Sequence, residues 1–199
     1  MKSLIVCFLT ILFLLPSFIQ AQPPELRWEE TYGGNRDEWL WCLIQTPDDN
    51  FAISGNTFSF GAGSNDLWLV RVDEDGEMLE GWPRTYGGNQ GEWGGDVIKV
   101  EEGFILGGMT WSWGHQGGPD FLLVRIEEDG DIIGTQTYGS ELWEGAQYLV
   151  IPLIQTLNGG FGIGGVRQVR YDEGISWDAV IILTDENGEN PRDYGFGTF

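Results

Sequence analysis

Basic residues, cysteine and histidine are all scarce in this chain of 199 residues. Ten Lys and Arg stand against 31 Asp and Glu, a formal net charge of −21. Such a surface repels phosphate backbones and anionic membranes, so nucleic-acid binding is disfavoured. The excess acid reads as solubility and self-repulsion, or more sharply as attraction for cations and basic partners. The two cysteines are Cys7, inside an N-terminal leader pattern, and Cys42. Once the leader is gone no intrachain disulfide can form, and packing alone must hold the fold. Cys42 sits in an aromatic and aliphatic run and reads as a buried, inert thiol. One histidine, His115, and one mature cysteine are too few for an ordinary zinc site. No G-x-S-x-G word accompanies that histidine, so a nucleophile triad finds no support. No segment sustains a 3.6-residue apolar period, and almost no helix is expected.

Long apolar runs are confined to the start. Lys2 precedes an apolar stretch from Leu4 to Leu15, followed by Pro16 and the small-residue site Ile19-Gln20-Ala21. This is the pattern of a secretory signal peptide over residues 1–21, cleaved to leave a domain from 22 to 199. A membrane anchor is the rival reading, because Ser3–Ala21 carries no charge and approaches the length of a spanning helix. Nothing later is apolar for long enough to cross a bilayer. The expected address is secreted or cell-surface.

What the chain has in abundance is glycine, tryptophan and repetition. "TYGGNRDEW" begins at Thr31 and "TYGGNQGEW" at Thr85. Tyr32, Tyr86 and Tyr138 each follow Thr and precede Gly, with a degenerate copy at Tyr194, at spacings of 54, 52 and 56 residues. Phe51-Ala-Ile-Ser-Gly55, Phe104-Ile-Leu-Gly-Gly108 and Phe161-Gly-Ile-Gly-Gly165 recur in step, as do "DLWLVRVDEDG", "DFLLVRIEEDG" and "DAVIILTDENG" from Asp66, Asp120 and Asp178. Tyr to Asp spans 34 residues in two copies and 40 in the third, an insertion around "RQVRYDEG". A period near 50 points to propeller blades or a similar array. The units run over about 27–81, 82–136 and 137–199.

Each unit reads as four short strands separated by Gly, Asn and Asp turns. In the first copy they fall near Glu38–Gln45, Phe51–Thr57, Leu67–Asp73 and Glu77–Tyr86. In "DLWLVRVD" Trp68, Val70 and Val72 lie on one face and Leu67 and Leu69 on the other, so both sides of the sheet need cover. Neighbouring blades supply it. The Tyr-Gly-Gly words then end one outer strand and open the crossing to the next inner strand, with Tyr and Trp39 or Trp93 filling the gap between sheets. The fold class is all-β, an array of about three four-stranded antiparallel blades. Closed propellers use four to eight blades, so the array reads as an incomplete propeller, from a truncated reading frame or one closing by self-association.

These words resemble those of a family of exported prokaryotic repeats, whose unit reads W-x-x-T-Y-G-G, T-x-D-G-G-[FY], G-x-T-x-S-x-G-x-G-x-x-D and a strand ending K-x-D-x-x-G. "RWEETYGG", "QTPDDNFAISGNTFSFGAGSNDLWLVRVDEDG" and "QTLNGGFGIGG" carry the likeness over essentially the whole mature chain. The resemblance implies β-propellers of cell-surface or secreted proteins, and transfers no catalytic residue. Copy three departs, with "VRQVRYDEGIS" in place of the T-x-S-x-G-x-G segment.

Few residues carry chemistry by pattern. "GFGIGG" at Gly160–Gly165 occupies a repeat strand and lacks the helix a dinucleotide site needs. The "DEDGE" turn offers Asp73, Asp75 and Glu77 as a loose calcium site, but the twelfth positions from Asp73, Glu127 and Asp185 are Arg84, Tyr138 and Phe196, which excludes a helix-loop-helix site. Asp66, Asp120 and Asp178 stand at strand entrances, where Asp accepts turn N–H groups. Trp111, Trp113, His115, Gln116 and Asp120 share a loop, where flat aromatics beside amide and carboxylate groups suit a sugar; packing between blades is the plainer role. The leading function is a non-enzymatic exported scaffold or binding module for a protein or glycan. The alternative is a carbohydrate-active glycosidase or lyase, or a quinoprotein-like fragment.

Overall fold

In a computed structural model of the chain, residues 25–115, 117–145 and 151–196 are described; the leader segment and Gln116 lie outside them. Those residues form thirteen strands and no helix. Sheet I joins β1 (Glu38–Gln45), β2 (Phe51–Thr57), β3 (Asp66–Val72) and β4 (Arg84–Tyr86) in chain order. Sheet II joins β5 (Glu92–Val100), β6 (Gly103–Thr110), β7 (Asp120–Ile126) and β8 (Ile132–Tyr138) the same way. Sheet III joins β10 (Leu153–Gln155), β11 (Phe161–Tyr171), β12 (Gly174–Leu183) and β13 (Arg192–Phe196), with β9 (Glu144–Gly145) pairing β11. Every pairing between these strands is antiparallel.

The turn residues explain the meander. Gly76, Gly130 and Gly188 close the third-to-fourth-strand turns with φ of 85°, 94° and 76°, a region closed to most side chains. The first three strands of sheet I fall where the sequence puts them. The fourth, expected over Glu77–Tyr86, is interrupted: Met78 bridges Val72, and the ladder resumes only at Arg84, because Pro83 has no N–H to donate and Gly81 turns the chain. Its counterpart β8, with no proline, runs unbroken for 7 residues.

Sheets pack face to face in chain order. Leu67, Leu69 and Tyr86 of sheet I meet Val97, Phe104 and Leu122 of sheet II. Phe121, Leu123 and Tyr138 of sheet II meet Leu153, Phe161 and Val180 of sheet III. All seven residues of β3 and all but one of β7 are buried, as two apolar faces require. On β12 the faces differ: Val180 and Ile182 are buried against sheet II, while Ala179 and Ile181 face outward and are exposed. The far face of sheet I is partly covered by the entering chain, where Trp28 packs edge-on against Phe51 and Tyr32 joins Ile53, Trp68 and Val70.

A tyrosine latch crosses each junction. The Tyr86 hydroxyl donates to Gly130 O at 3.1 Å and Tyr138 to Gly188 O at 2.6 Å, each reaching the turn of the following sheet. Tyr32 does the same to Gly76 O at 2.7 Å. Burial of the Tyr86 and Tyr138 rings pushes both phenols well above their ordinary range.

Candidate functional site

The two inter-sheet junctions carry an acid row at one end of the sheets. Across sheet I, Glu38, Thr57 and Asp66 stand opposite one another on successive strands; sheet II repeats this with Glu92, Thr110 and Asp120. Sheet III has Glu144, Arg167 and Asp178 at the same places. The threonine hydroxyls donate to their glutamates, Thr57 to Glu38 at 2.9 Å and Thr110 to Glu92 at 2.8 Å. Arg167 instead brings its Nε to 3.5 Å from Glu144, an ion-pair contact without hydrogen-bond alignment.

Between sheets, an Asp from one row meets a Glu from the next. Asp66 and Glu92 are 1% and 0% exposed, and Asp120 and Glu144 are both 0% exposed. The Asp66 Oδ2 accepts N–H groups from Ala62 at 2.7 Å and Gly63 at 3.3 Å, and Glu92 Oε2 accepts from Gly88 at 3.0 Å. Oδ1 of Asp66, Oδ1 of Asp120 and Oε2 of Glu144 have no donor. Burial, with Glu92 adding to it against the Gly63 and Ala62 amides, raises the Asp66 carboxyl above its usual range. Burial also raises Glu144, opposed by the Ser140 hydroxyl and by Arg167 and reinforced by Asp120. Among the described residues Glu38 has no Asp from a preceding sheet beside it. Its modest burial is outweighed by hydrogen bonds from Ser59, Gly34 and Thr57, and its carboxyl is lowered.

At both junctions the glycine of the Tyr-Gly word leaves room for these acids. A Cβ on Gly87 would collide with Asp66 Oδ1 and Glu92 Oε2, and one on Gly139 would collide with the Asp120 carboxylate. A Cβ on Gly195, after the last tyrosine, would meet nothing within 4 Å. The second glycine has a separate partner: a Cβ on Gly34 or Gly88 would strike Ser59 or Ser112. Copy three has Ser140 there and lacks the T-x-S segment; the Ser140 hydroxyl bonds Glu144 at 2.6 Å instead.

Beside the acid row lies an aromatic surface. Trp39 stands edge-on to Trp93 at 5.4 Å and to Trp41 at 5.8 Å, and Phe58 lies 5.8 Å from Trp93. Trp39 is 44% exposed, so it caps the junction from outside and does not fill it. A neighbouring groove of about 310 Å³ is lined by Ser64, Gln90, Gly91, Trp93 and Trp111. Gln90 Nε2 donates to Trp111 O at 2.7 Å and Trp111 N to Gly91 O at 3.0 Å, which holds the Trp111 backbone beside the groove.

The sequence-derived candidates divide. Trp111 packs with the junction between sheets II and III and Trp113 with that between I and II, so the two rings do not form one platform. Asp120 Oδ2 accepts the His115 amide at 2.8 Å and faces His115 Nδ1 at 3.0 Å. Asp66 likewise caps its own loop, while Asp178 accepts from the Tyr171 hydroxyl. Asp73 Oδ1 accepts amides from Asp75 at 3.0 Å and Glu77 at 2.9 Å, so that carboxylate serves its own turn. Among the described residues no three His, Cys, Asp or Glu side chains gather where a metal ion could sit. The Cys42 thiol, half-buried and beside Asp96, is pushed up to about 11 by burial first and Asp96 second, so it is a poor nucleophile at neutral pH. No described helix is long and apolar enough to cross a membrane.

Sequence reasoning missed the glutamates. The "EW" of the repeated word marks Glu38 and Glu92, and "WEG" marks Glu144, but nothing in the spacing says that each Glu meets the Asp of the preceding unit.

No protein-family model matches the chain. No curated protein matches it in sequence. Among solved structures it is similar to an endo-1,4-beta-xylanase from Bacteroides thetaiotaomicron, with 11% identity and a TM-score of 0.41 over 85% of this chain. The chain spans 62% of the length of that protein.

Proposed function

We propose that this chain is a non-catalytic exported module whose sheets are propeller-type blades and whose loop end binds a ligand. The face-to-face order of the sheets and the tyrosine latch from each sheet to the next support the blade reading. The leader pattern and the likeness to exported repeats support the address. The buried acids support a scaffold: shut away at 0–1% exposure, they have no route to a substrate.

The observation that carries binding is the groove where Trp93 and Trp111 flank Ser64 and Gln90. Two tryptophans beside an amide and a hydroxyl suit the alternating apolar and hydroxylated faces of a neutral sugar. Tryptophan fluorescence titrated with a panel of neutral oligosaccharides tests this. A saturable change, weakened at least tenfold in Trp111→Ala, is the expected result. No change with any sugar would remove the carbohydrate ligand, and release of reducing ends would overturn the non-catalytic reading.

A further inference from the structure

We propose that two copies of this chain close on each other, head to tail, as a ring of six sheets, the Trp28–Tyr32 strand of each copy completing sheet III of the other. The inference rests on the propeller reading above and adds the partner.

The head face of sheet I and the tail face of sheet III are the two halves of a junction that the chain builds twice internally. Leu43, Val97 and Leu153 hold one position, each paired across to Ile53, Leu106 or Ile163. Val97 and Leu153 are 1% and 3% exposed, but Leu43, with no sheet before it among the described residues, is 62% exposed. Ile181 matches Leu69 and Leu123, three residues past the repeated Asp; those two are 0% exposed and Ile181 is 42% exposed. The acid row is also cut in half at both ends. Among the described residues no preceding sheet sets an Asp beside Glu38 and no following sheet sets a Glu beside Asp178. A groove of about 490 Å³ on the head face, lined by residues including Trp28, Tyr32, Leu40 and Leu43, is where a preceding sheet would seat.

Strand register names the occupant. In sheets I and II the Tyr of the fourth strand pairs with the residue just after the Asp, Tyr86 with Leu67 and Tyr138 with Phe121. In sheet III, Tyr194 pairs with Ile181 instead, and Phe196 stands opposite Ala179, the residue just after Asp178. β13 therefore lies on the β12 edge two residues out of the repeat's register, and Tyr194 is 51% exposed where Tyr86 is 2%. The segment that fits the register is the unpaired head strand. "WEETYGG" from Trp28 aligns with "WPRTYGG" from Trp82, the β4 word, yet residues 25–34 pair with no sheet in their own chain. Tyr32 already latches the turn of sheet I, as a preceding sheet's tyrosine would. Docked on β12 of a second copy, it would stand opposite Ala179 of the partner copy and displace β13, whose described residues are exposed. The described sheets of each copy offer one head and one tail, so two copies cover both faces, and six sheets fall within the four to eight that close.

Light scattering after size exclusion, with small-angle X-ray scattering on the same peak, tests this on the purified chain. The ring gives twice the chain mass and a disc-like profile. Leu43→Asp and Ile181→Asp alter exposed positions, so each variant keeps its circular dichroism but falls to the single-chain mass. Mixing the two variants one to one restores a two-chain species through the single unaltered junction. A single-chain mass for the unaltered protein with the profile of three stacked sheets overturns the ring and leaves the blade reading standing. A profile that no stack of sheets fits overturns both, and an open ladder of masses overturns closure.

Discussion

The two junctions inside the chain place the same acids in the same positions and surround them differently. Between sheets I and II, the neutral Thr110 hydroxyl donates to Glu92, and burial first, with Glu92 reinforcing it, raises the Asp66 carboxyl. Between sheets II and III, Arg167 stands where Thr110 would be and faces Glu144, with Asp193 on its other side. Burial raises a carboxyl at both junctions, Asp66 at the first and Glu144 at the second, and a guanidinium stands beside the pair at the second. A repeat can therefore vary the charge chemistry of its contacts while keeping their geometry, provided the glycine that makes room is kept.

The largest effect that separates the ends of this array from its interior comes from that glycine. Gly87→Ala should cost about 4 kcal/mol by forcing a methyl into the buried acid pair, whereas Gly195→Ala, at the same word with open space around it, should stay within about 0.5 kcal/mol. Urea midpoints measure both, and equal losses would contradict the comparison. Next is Arg167→Met, expected to cost about 2 kcal/mol by leaving Glu144 buried without its partner; Arg167→Thr, which rebuilds the first junction's row, should recover part of that loss.

The third effect is one of pH. Because the folded-state carboxyl of Asp66 is raised, its contribution is fully present below the unfolded value of about 3.9 and is lost as pH rises through the folded value. Asp66→Asn mimics the protonated form. It should melt no higher than the unaltered chain at pH 4 and a few °C higher at pH 7.5, in thermal scans at both pH values, with about that size set by a domain of this length. A constant offset would mean that Asp66 shares no proton. The smallest effect is at the latches: Tyr86→Phe should cost about 1 kcal/mol and Tyr32→Phe less, since the second hydroxyl is half-buried.

Much of the fold was legible in the letters. Strand edges in sheet I follow from alternation and turn residues, and the third strand's two apolar faces are buried where neighbours exist. Pro83 was visible too, and its missing donor is why β4 is short. The third copy's insertion became a long hairpin, β11 and β12 paired from Gly162–Leu183 out to Tyr171–Gly174, because its alternating residues satisfy one another across the strands. The candidate site was less legible. Trp111 and Trp113 are adjacent in the letters and diverge in space because the loop between β6 and β7 straddles a sheet. Asp66 and Glu92 are 26 residues apart in different units, and only the stacking of sheets brings them together.

The latch from each tyrosine to the turn beyond it has a consequence for how such a chain can lengthen. A duplicated stretch of whole-unit size arrives carrying one tyrosine, one turn glycine, one Glu and one Asp, and every one of them finds a mate on insertion. A duplication of any other size would strand a carboxylate in the interior. Growth by single complete units is thus written into the chemistry of the contacts.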